Sequence, residues 1–277
     1  MRIAYLGPAG TFTEDALRET GVAGSSEPLR TATVREAILA VERGEADRAL
    51  VPFENSIEGS VRATLDALAF DAERVTIVGE HDYAVRPCLI ARDELPLGQI
   101  TAVLSHPQPL AQCARFIREE LPAAETRVTS STADAVRQVA ESSEPWAALG
   151  AHSAAELYGC TVIRAGVEDE SENVTRFVWI APVGTEPDGG GTWKTSLVFS
   201  ELGEDHPGAL VEALLEFSDR AVNLTRIESR PLRRGLGRYM FFIDLEGAAE
   251  EGAVAEAIEG LRGKAESVRV LGSYPVA

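Results

Sequence analysis

The segment Thr185-Glu186-Pro187-Asp188-Gly189-Gly190-Gly191-Thr192 admits neither a helix nor a central strand, because one proline and three consecutive glycines work against both. It reads as a linker. The 277-residue chain is thereby divided into an expected first domain (residues 1–183), a connector (184–193) and a second domain (194–277). Each part is long enough to enclose its own core. A short polar motif lies on either side. Asn173-Val174-Thr175-Arg176-Phe177 closes the first part, and Glu228-Ser229-Arg230-Pro231 sits in the middle of the second. Hydroxyls, an amide and an arginine in one unit, tethered to a second unit with its own small motif, suggest an enzyme with a sensor.

Outward from the linker, the two halves differ in pattern. The first alternates apolar runs such as Ile3–Leu6, Ala49–Pro52, Val75–Val78, Ile100–Leu104 and Thr126–Val128 with helix-like stretches. Those stretches are Val34–Arg43, Val61–Phe70, Pro107–Glu120, Thr132–Glu141 and Ala151–Tyr158, with Thr33 placed to cap the first. Such alternation predicts two α/β groups with parallel sheets. The second half predicts the order βαββαβ, a split ferredoxin-like plan. Its segments are Thr195–Ser200, Pro207–Phe217, Leu224–Arg230, Tyr239–Leu245, Ala253–Leu261 and Val268–Leu271.

Composition narrows the function. A net charge of −18 opposes binding to nucleic acid or to an anionic membrane. Neither half is basic, so an anionic ligand has to be held by a local cluster of donors. Cys88, Cys113 and Cys160 form no C-x-x-C pair, and the four histidines are dispersed, so no metal site is expected. There is no apolar run of 18 residues and no secretory leader pattern, from which a cytoplasmic protein is expected. No nucleotide-binding glycine pattern occurs, and no cofactor is expected.

Polar clusters follow the predicted strands, where α/β sheets bind ligands. Gly7-Pro8-Ala9-Gly10-Thr11-Phe12-Thr13 offers backbone N–H groups and two hydroxyls, or is only a helix cap after a turn. Glu54-Asn55-Ser56 offers an acceptor, an amide and a hydroxyl, or is only a solvated turn. Ser105-His106-Pro107 and Thr129-Ser130-Ser131-Thr132 each open a helix and have the same two readings. Repetition of the pattern across two lobes favours an anion cleft. Arg176 grips a carboxylate or pairs with Glu170 or Glu172.

Together these motifs resemble the prephenate dehydratase family followed by an ACT regulatory domain. Tyr5-Leu6-Gly7-Pro8, Gly10-Thr11-Phe12-Thr13, Val51-Pro52, Glu54-Asn55-Ser56, Ser105-His106-Pro107-Gln108 and Ala154–Gly159 occur in family order, and Thr175-Arg176-Phe177 is similar to the family signature. Gly208-Ala209-Leu210-Val211 and Glu228-Ser229-Arg230-Pro231 are similar to the phenylalanine-binding motifs of ACT domains. The resemblance covers essentially the whole chain. It implies a two-lobed catalytic domain like a type II periplasmic-binding protein, then a ferredoxin-like ACT domain. It implies decarboxylating dehydration of prephenate to phenylpyruvate, regulated by L-phenylalanine in a homodimer or homotetramer. Thr175, Arg176, Glu54, Asn55 and Ser56 are then the expected catalytic residues. Thr11, Thr13, Ser105, His106, Ser130, Thr132 and Phe177 are the expected substrate contacts. Asp205, Pro207 to Val211, Asn223, Leu224 and Glu228 to Pro231 are the expected effector site. Arogenate as substrate, and a non-catalytic amino-acid-responsive binding protein, remain as alternatives.

Overall fold

The computed structural model describes residues 1–202 and 206–276. In chain order it begins β1 (Arg2–Leu6), α1 (Phe12–Glu19), β2 (Glu27–Thr31), α2 (Val34–Glu42), β3 (Arg48–Asn55), β4 (Gly59–Ser60), α3 (Arg62–Phe70) and β5 (Val75–Ala84). It continues through β6 (Cys88–Ala91), β7 (Ala102–Ser105), α4 (Pro107–Gln112), α5 (Ala114–Glu120), β8 (Glu125–Val128), α6 (Thr132–Glu141), β9 (Trp146–Gly150), α7 (His152–Tyr158), β10 (Thr161–Ala165) and β11 (Val174–Pro182). The C-terminal part is β12 (Trp193–Ser200), α8 (Ala209–Ser218), β13 (Leu224–Pro231), β14 (Tyr239–Glu246), α9 (Gly252–Arg262) and β15 (Ser267–Pro275).

The strands form three sheets. Their orders are β2-β1-β3-β11-β5, with β4 added on β3, then β10-β6-β9-β7-β8, and β13-β14-β12-β15. By compactness the chain makes two units. One comprises Met1–Ala37, Leu50–Gly59 and Asp82–Phe177; the other comprises Ile38–Ala49, Ser60–His81 and Val178 onward.

Local rules account for much of this. Thr33 Oγ1 accepts the Glu36 N–H at 3.1 Å, while the Glu36 carboxylate accepts from the Ala32 N–H at 3.1 Å. These reciprocal bonds satisfy donors that a helix start leaves over and fix the entry to α2. Two expectations need correction. The second sheet is mixed: β7 is parallel to β8 and β9, but β6 runs against both β9 and β10. β6 is the first strand of that sheet in chain order, so no crossover from a preceding strand of the same sheet sets its direction. The helix expected over Pro107–Glu120 is broken at Cys113, whose φ of −116° and ψ of 20° are not helical.

The C-terminal sheet is antiparallel throughout, as a ferredoxin-like plan requires. Leu197, Phe199, Ile243 and Leu245 on one face bury against Ala213 and Phe217 of α8 and Ile258 and Leu261 of α9. Each fully buried side chain of that size contributes about 1.5–3 kcal/mol, so this face holds the domain together. The opposite face is polar in part. Ser196 Oγ donates to Asp244 Oδ1 at 2.6 Å and lies 2.7 Å from the Tyr274 hydroxyl, which gives the buried Asp244 partners.

That polar face is packed within its unit against β5 and α3. Lys194 pairs with the buried Glu80 at 2.7 Å, and Thr76 Oγ1 donates to the Leu271 carbonyl at 3.1 Å. Gly272 is required at the crossing, because a Cβ there would collide with the Ile77 carbonyl. Arg269 donates to the carbonyls of Leu68 (2.8 Å) and Ala72 (2.6 Å), covering groups that the end of α3 leaves unpaired.

Candidate active site

Asn55, at the end of β3, is the hub of a buried amide network. Its Oδ1 accepts the backbone N–H groups of Ile57 and Glu58, both at 3.0 Å. Those two donors fix the orientation of the amide. Its Nδ2 therefore faces β11, donating to Asn173 Oδ1 at 2.8 Å and to Thr175 Oγ1 at 2.9 Å. Asn173 Nδ2 in turn donates to Gln112 Oε1 on α4 at 3.0 Å. Gln112 Nε2 ends the chain, buried and without a hydrogen-bond partner among the described residues.

This order has a chemical consequence at Thr175. An amide NH2 can only donate, so the Thr175 oxygen is the acceptor and its own hydrogen remains available to another group. Ser56 reinforces the arrangement: its Oγ donates to the Glu172 carbonyl at 2.8 Å and accepts the Val174 N–H at 3.0 Å. Thr175 is 9% exposed and Arg176 is 9% exposed, so both face a nearly dry environment in which dipoles act strongly.

Arg176 pairs with Glu54 at 3.3 Å and lies over the Phe53 ring at 4.9 Å. The ring packs the guanidinium from one side while the fork meets a carboxylate. The expected partners Glu170 and Glu172 are not the ones bonded in this pair. Phe177 is buried, with the Tyr83 ring edge-on at 6.4 Å. Burial, with the charges of Asp15 and Glu19, pushes the Tyr83 phenol up, so it stays neutral.

The glycine-rich loop before α1 is tied differently from the expected cap. Thr11 occupies the cap position, yet its hydroxyl makes no cap bond and donates instead to the Leu6 carbonyl at 3.3 Å. Glu14 takes over, accepting the Gly10 N–H at 2.7 Å and holding Arg18 and Arg30 at 3.3 Å each. Burial alone would raise the Glu14 carboxyl, but the Gly10 N–H and the two arginines outweigh it and hold it below its ordinary value. Gly10 adopts φ of +78°, and its Cβ position is 3.1 Å from Ala154 of α7. Thr11 and Thr13 are both buried.

The remaining expected contacts are placed as follows. Ser105 is fully buried and donates to the Leu149 carbonyl at 2.8 Å, a bond that joins neighbouring strands. His106 caps α4 by accepting the Gln108 N–H at 3.4 Å, and Ser131, beside Ser130, caps α6. Ser130 donates to Asp134 at 3.0 Å on the exposed side, whereas Thr132 is buried. The network thus joins Asn55, Ser56, Asn173, Thr175 and Gln112. Sequence reading had not given Gln112 a role, although a helical period places it one turn after Gln108.

In the C-terminal domain the second motif is divided between two faces of β13. Ile227 pairs with Ile243 and Ser229 with Phe241, on the helix side of the sheet, where both remain exposed on this edge strand. Arg226, Glu228 and Arg230 pair with Asp244, Phe242 and Met240 on the opposite face. Arg230 grips Asp66 of α3 in forked geometry, at 2.8 Å to each oxygen, and Arg233 adds a bond to Asp66 at 2.8 Å. Arg226 donates to Ser60 Oγ at 2.6 Å. Gly208, at φ of +102°, begins α8 with Ala209, Leu210 and Val211, after the exposed Pro207. The Asn223 carbonyl accepts the Glu246 N–H at 3.0 Å, and Leu224 packs on the helix-side core. Asp205 lies outside the described residues.

Fold and site together place the chain in a class of α/β proteins with a buried amide and arginine cluster at strand ends and a C-terminal βαββαβ domain. Residues 3–184 match the family model Prephenate dehydratase, and residues 198–263 match the model ACT domain. The chain is 40% identical over 282 residues to the prephenate dehydratase of Mycobacterium marinum, covering 99% of this chain and 88% of the relative. Among solved structures it is similar to prephenate dehydratase from Arthrobacter aurescens in complex with L-Phe, with a TM-score of 0.90 and 39% identity, covering 99% of this chain and 89% of that one. It is also similar to GqqA, described as a novel type of quorum quenching acylase, with a TM-score of 0.84 and 31% identity, covering 100% of this chain and 98% of that one. The chain belongs to the prephenate dehydratase family.

Proposed function

We propose that the protein converts prephenate to phenylpyruvate, with Thr175 as the hydrogen-bond donor to the departing ring hydroxyl. The observation that carries this reading is the Asn55 amide, which donates to Thr175 Oγ1 and leaves the threonine hydrogen free. Loss of the ring carboxylate as CO2 and of the ring hydroxyl creates an aromatic ring, so the chemistry has a strong thermodynamic pull. A threonine hydroxyl is a weak acid, and stabilisation of developing charge by a positioned donor suits it better than full proton transfer. Arg176 binds a substrate carboxylate, which displaces Glu54 from the guanidinium. Glu54 is the rival proton source only once it has taken up a proton, because the carboxylate paired with Arg176 carries none to give. Thr13, Thr132 and the Gln112 amide supply further donors, while Ser105 and His106 support the strands and helix that carry them. Thr11, whose hydrogen goes to the Leu6 carbonyl, meets substrate only through its oxygen or after giving up that bond.

The second half acts as a sensor for phenylalanine. Gly208 to Val211, Asn223, Leu224 and the helix-side residues of β13 form the effector site, which two copies complete in a dimer or tetramer. Arg230 has another task, because its guanidinium is committed to Asp66. We place it in the coupling between sensor and enzyme. Helix α3, which it grips, directly follows the segment carrying Glu54, Asn55 and Ser56 in the chain. The domain limits are residues 1–183 and 194–277, and the protein works in the cytoplasm.

Turnover of prephenate by the purified protein, with and without phenylalanine, tests the reading. Suppressible turnover supports both halves; turnover of arogenate alone reassigns the substrate. Similarity to GqqA raises amide hydrolysis as a second activity. In its hydroxyl-nucleophile form that chemistry needs a hydroxyl paired with a base, and Thr175 is paired with an amide. Absence of N-acyl amide hydrolysis is therefore expected.

A further inference from the structure

The break between α4 and α5 is held by a residue from a distant loop. Asp169, in the segment between β10 and β11, accepts the backbone N–H of Arg115 at 2.8 Å and that of Phe116 at 3.1 Å. It caps α5 from across the fold, where Cys113, the residue before the helix, makes no side-chain cap. Its own N–H donates to the Gln112 carbonyl at 2.8 Å, and its carbonyl accepts from the Arg115 guanidinium at 2.6 Å. Four hydrogen bonds thus pin one residue to the junction, and one of them lands on Gln112.

We infer that Asp169 is a positioning residue for Thr175, acting through Gln112 and Asn173. The steps are continuous. The Asp169 carboxylate caps the start of α5 and its N–H meets the Gln112 carbonyl, so Asp169 holds the backbone from which the Gln112 side chain extends. Gln112 Oε1 holds the Asn173 amide at 3.0 Å, and Asn173 Oδ1 shares the Asn55 NH2 with Thr175 Oγ1. Asp169 also lies four residues before Asn173 in the chain, so the same loop is held at both ends. Were α4 and α5 continuous, backbone bonds would replace the cap, and Gln112 would turn with the helix. Asp169 touches no reacting atom. Its effect is on the geometry of the hydroxyl that does.

The inference rests on Thr175 being the working donor, and its test separates the two. In the full chain, Asp169→Ala is expected to lower kcat for prephenate by roughly 10- to 100-fold, the scale of a misplacement of about 1 Å. In a Gln112→Ala background the same substitution is expected to change kcat less than about twofold, since the route through Gln112 is already cut. Equal losses in both backgrounds would overturn the inference, as would an unchanged kcat in Asp169→Ala. A substrate-free readout covers the case in which the wild-type protein does not turn over prephenate. Side-chain amide exchange at Asn55 and Asn173, followed by NMR, is expected to accelerate in Asp169→Ala, and unchanged protection would sink the proposal independently of activity. Asp169→Asn, which keeps one acceptor oxygen, serves if the alanine variant does not fold; it is expected to show an intermediate acceleration, and none would count against the idea.

Discussion

Two polar motifs were legible in the sequence, and the structure uses them in opposite ways. In the catalytic motif side chains converge: Asn173 and Thr175 meet one amide of Asn55, and neutral hydrogen bonds hold the group together. In the regulatory motif side chains diverge: Ser229 faces the helices, while Arg230 crosses to a carboxylate on α3. Convergence builds a site. Divergence gives one strand two different faces, one turned toward the helix side of its sheet and one bonded to α3.

The strongest way to break the comparison is at its convergent end. Thr175→Val removes the free hydrogen and keeps the shape, and is expected to lower kcat by roughly 10²–10⁴ with folding intact. Steady-state kinetics with prephenate check this, and near-normal turnover would end the assignment of Thr175. At the divergent end, a pair of variants sharpens it. Gly208→Asp places bulk and charge beside the start of α8, at a φ that disfavours side chains, and is expected to abolish phenylalanine binding measured by calorimetry. Asp66→Asn is expected to leave binding in place and remove inhibition. A coupling of about 1–3 kcal/mol, or 5- to 150-fold, is what it would erase. Inhibition retained in Asp66→Asn would mean that Arg230 merely docks the domain.

The contrast also explains what sequence reading reached. The βαββαβ order and the Thr33 cap follow from local chemistry, and each is visible in its own segment. The antiparallel course of β6 was not, because four buried apolar residues state no direction. Nor was the break at Cys113, where the residue that caps the following helix, Asp169, lies far away in the chain. Arg230 is the clearest case. Alternation along Leu224–Pro231 gives two faces, but a register shift between Leu224 and Arg226 decides which is which, and only pairing with β14 reveals it. Motif recognition named the residue without its direction.

Acid should separate the two regions as well. The amide network around Asn55 carries no titrating group, so the acid sensitivity of the catalytic region has to enter through its charged supports. Glu14 is the best placed of these. It is 6% exposed, bonds the Gly10 N–H and two arginines, and orders the loop that bears Thr11 and leads into α1 with Thr13. Its carboxyl is held below the ordinary value in the folded protein. A depressed carboxylate stabilises the fold fully above its unfolded value, and that contribution disappears as pH falls through the folded one. Glu14→Gln is therefore expected to cost about 1.5–3 kcal/mol at pH 7, the scale of a hydrogen bond to a charged group. The gap between variant and wild type should close as the pH drops below the usual carboxylate range. Urea denaturation of both proteins at neutral and acid pH measures the gap. A gap that stayed constant with pH would assign the loss to packing around Gly10 rather than to the charge.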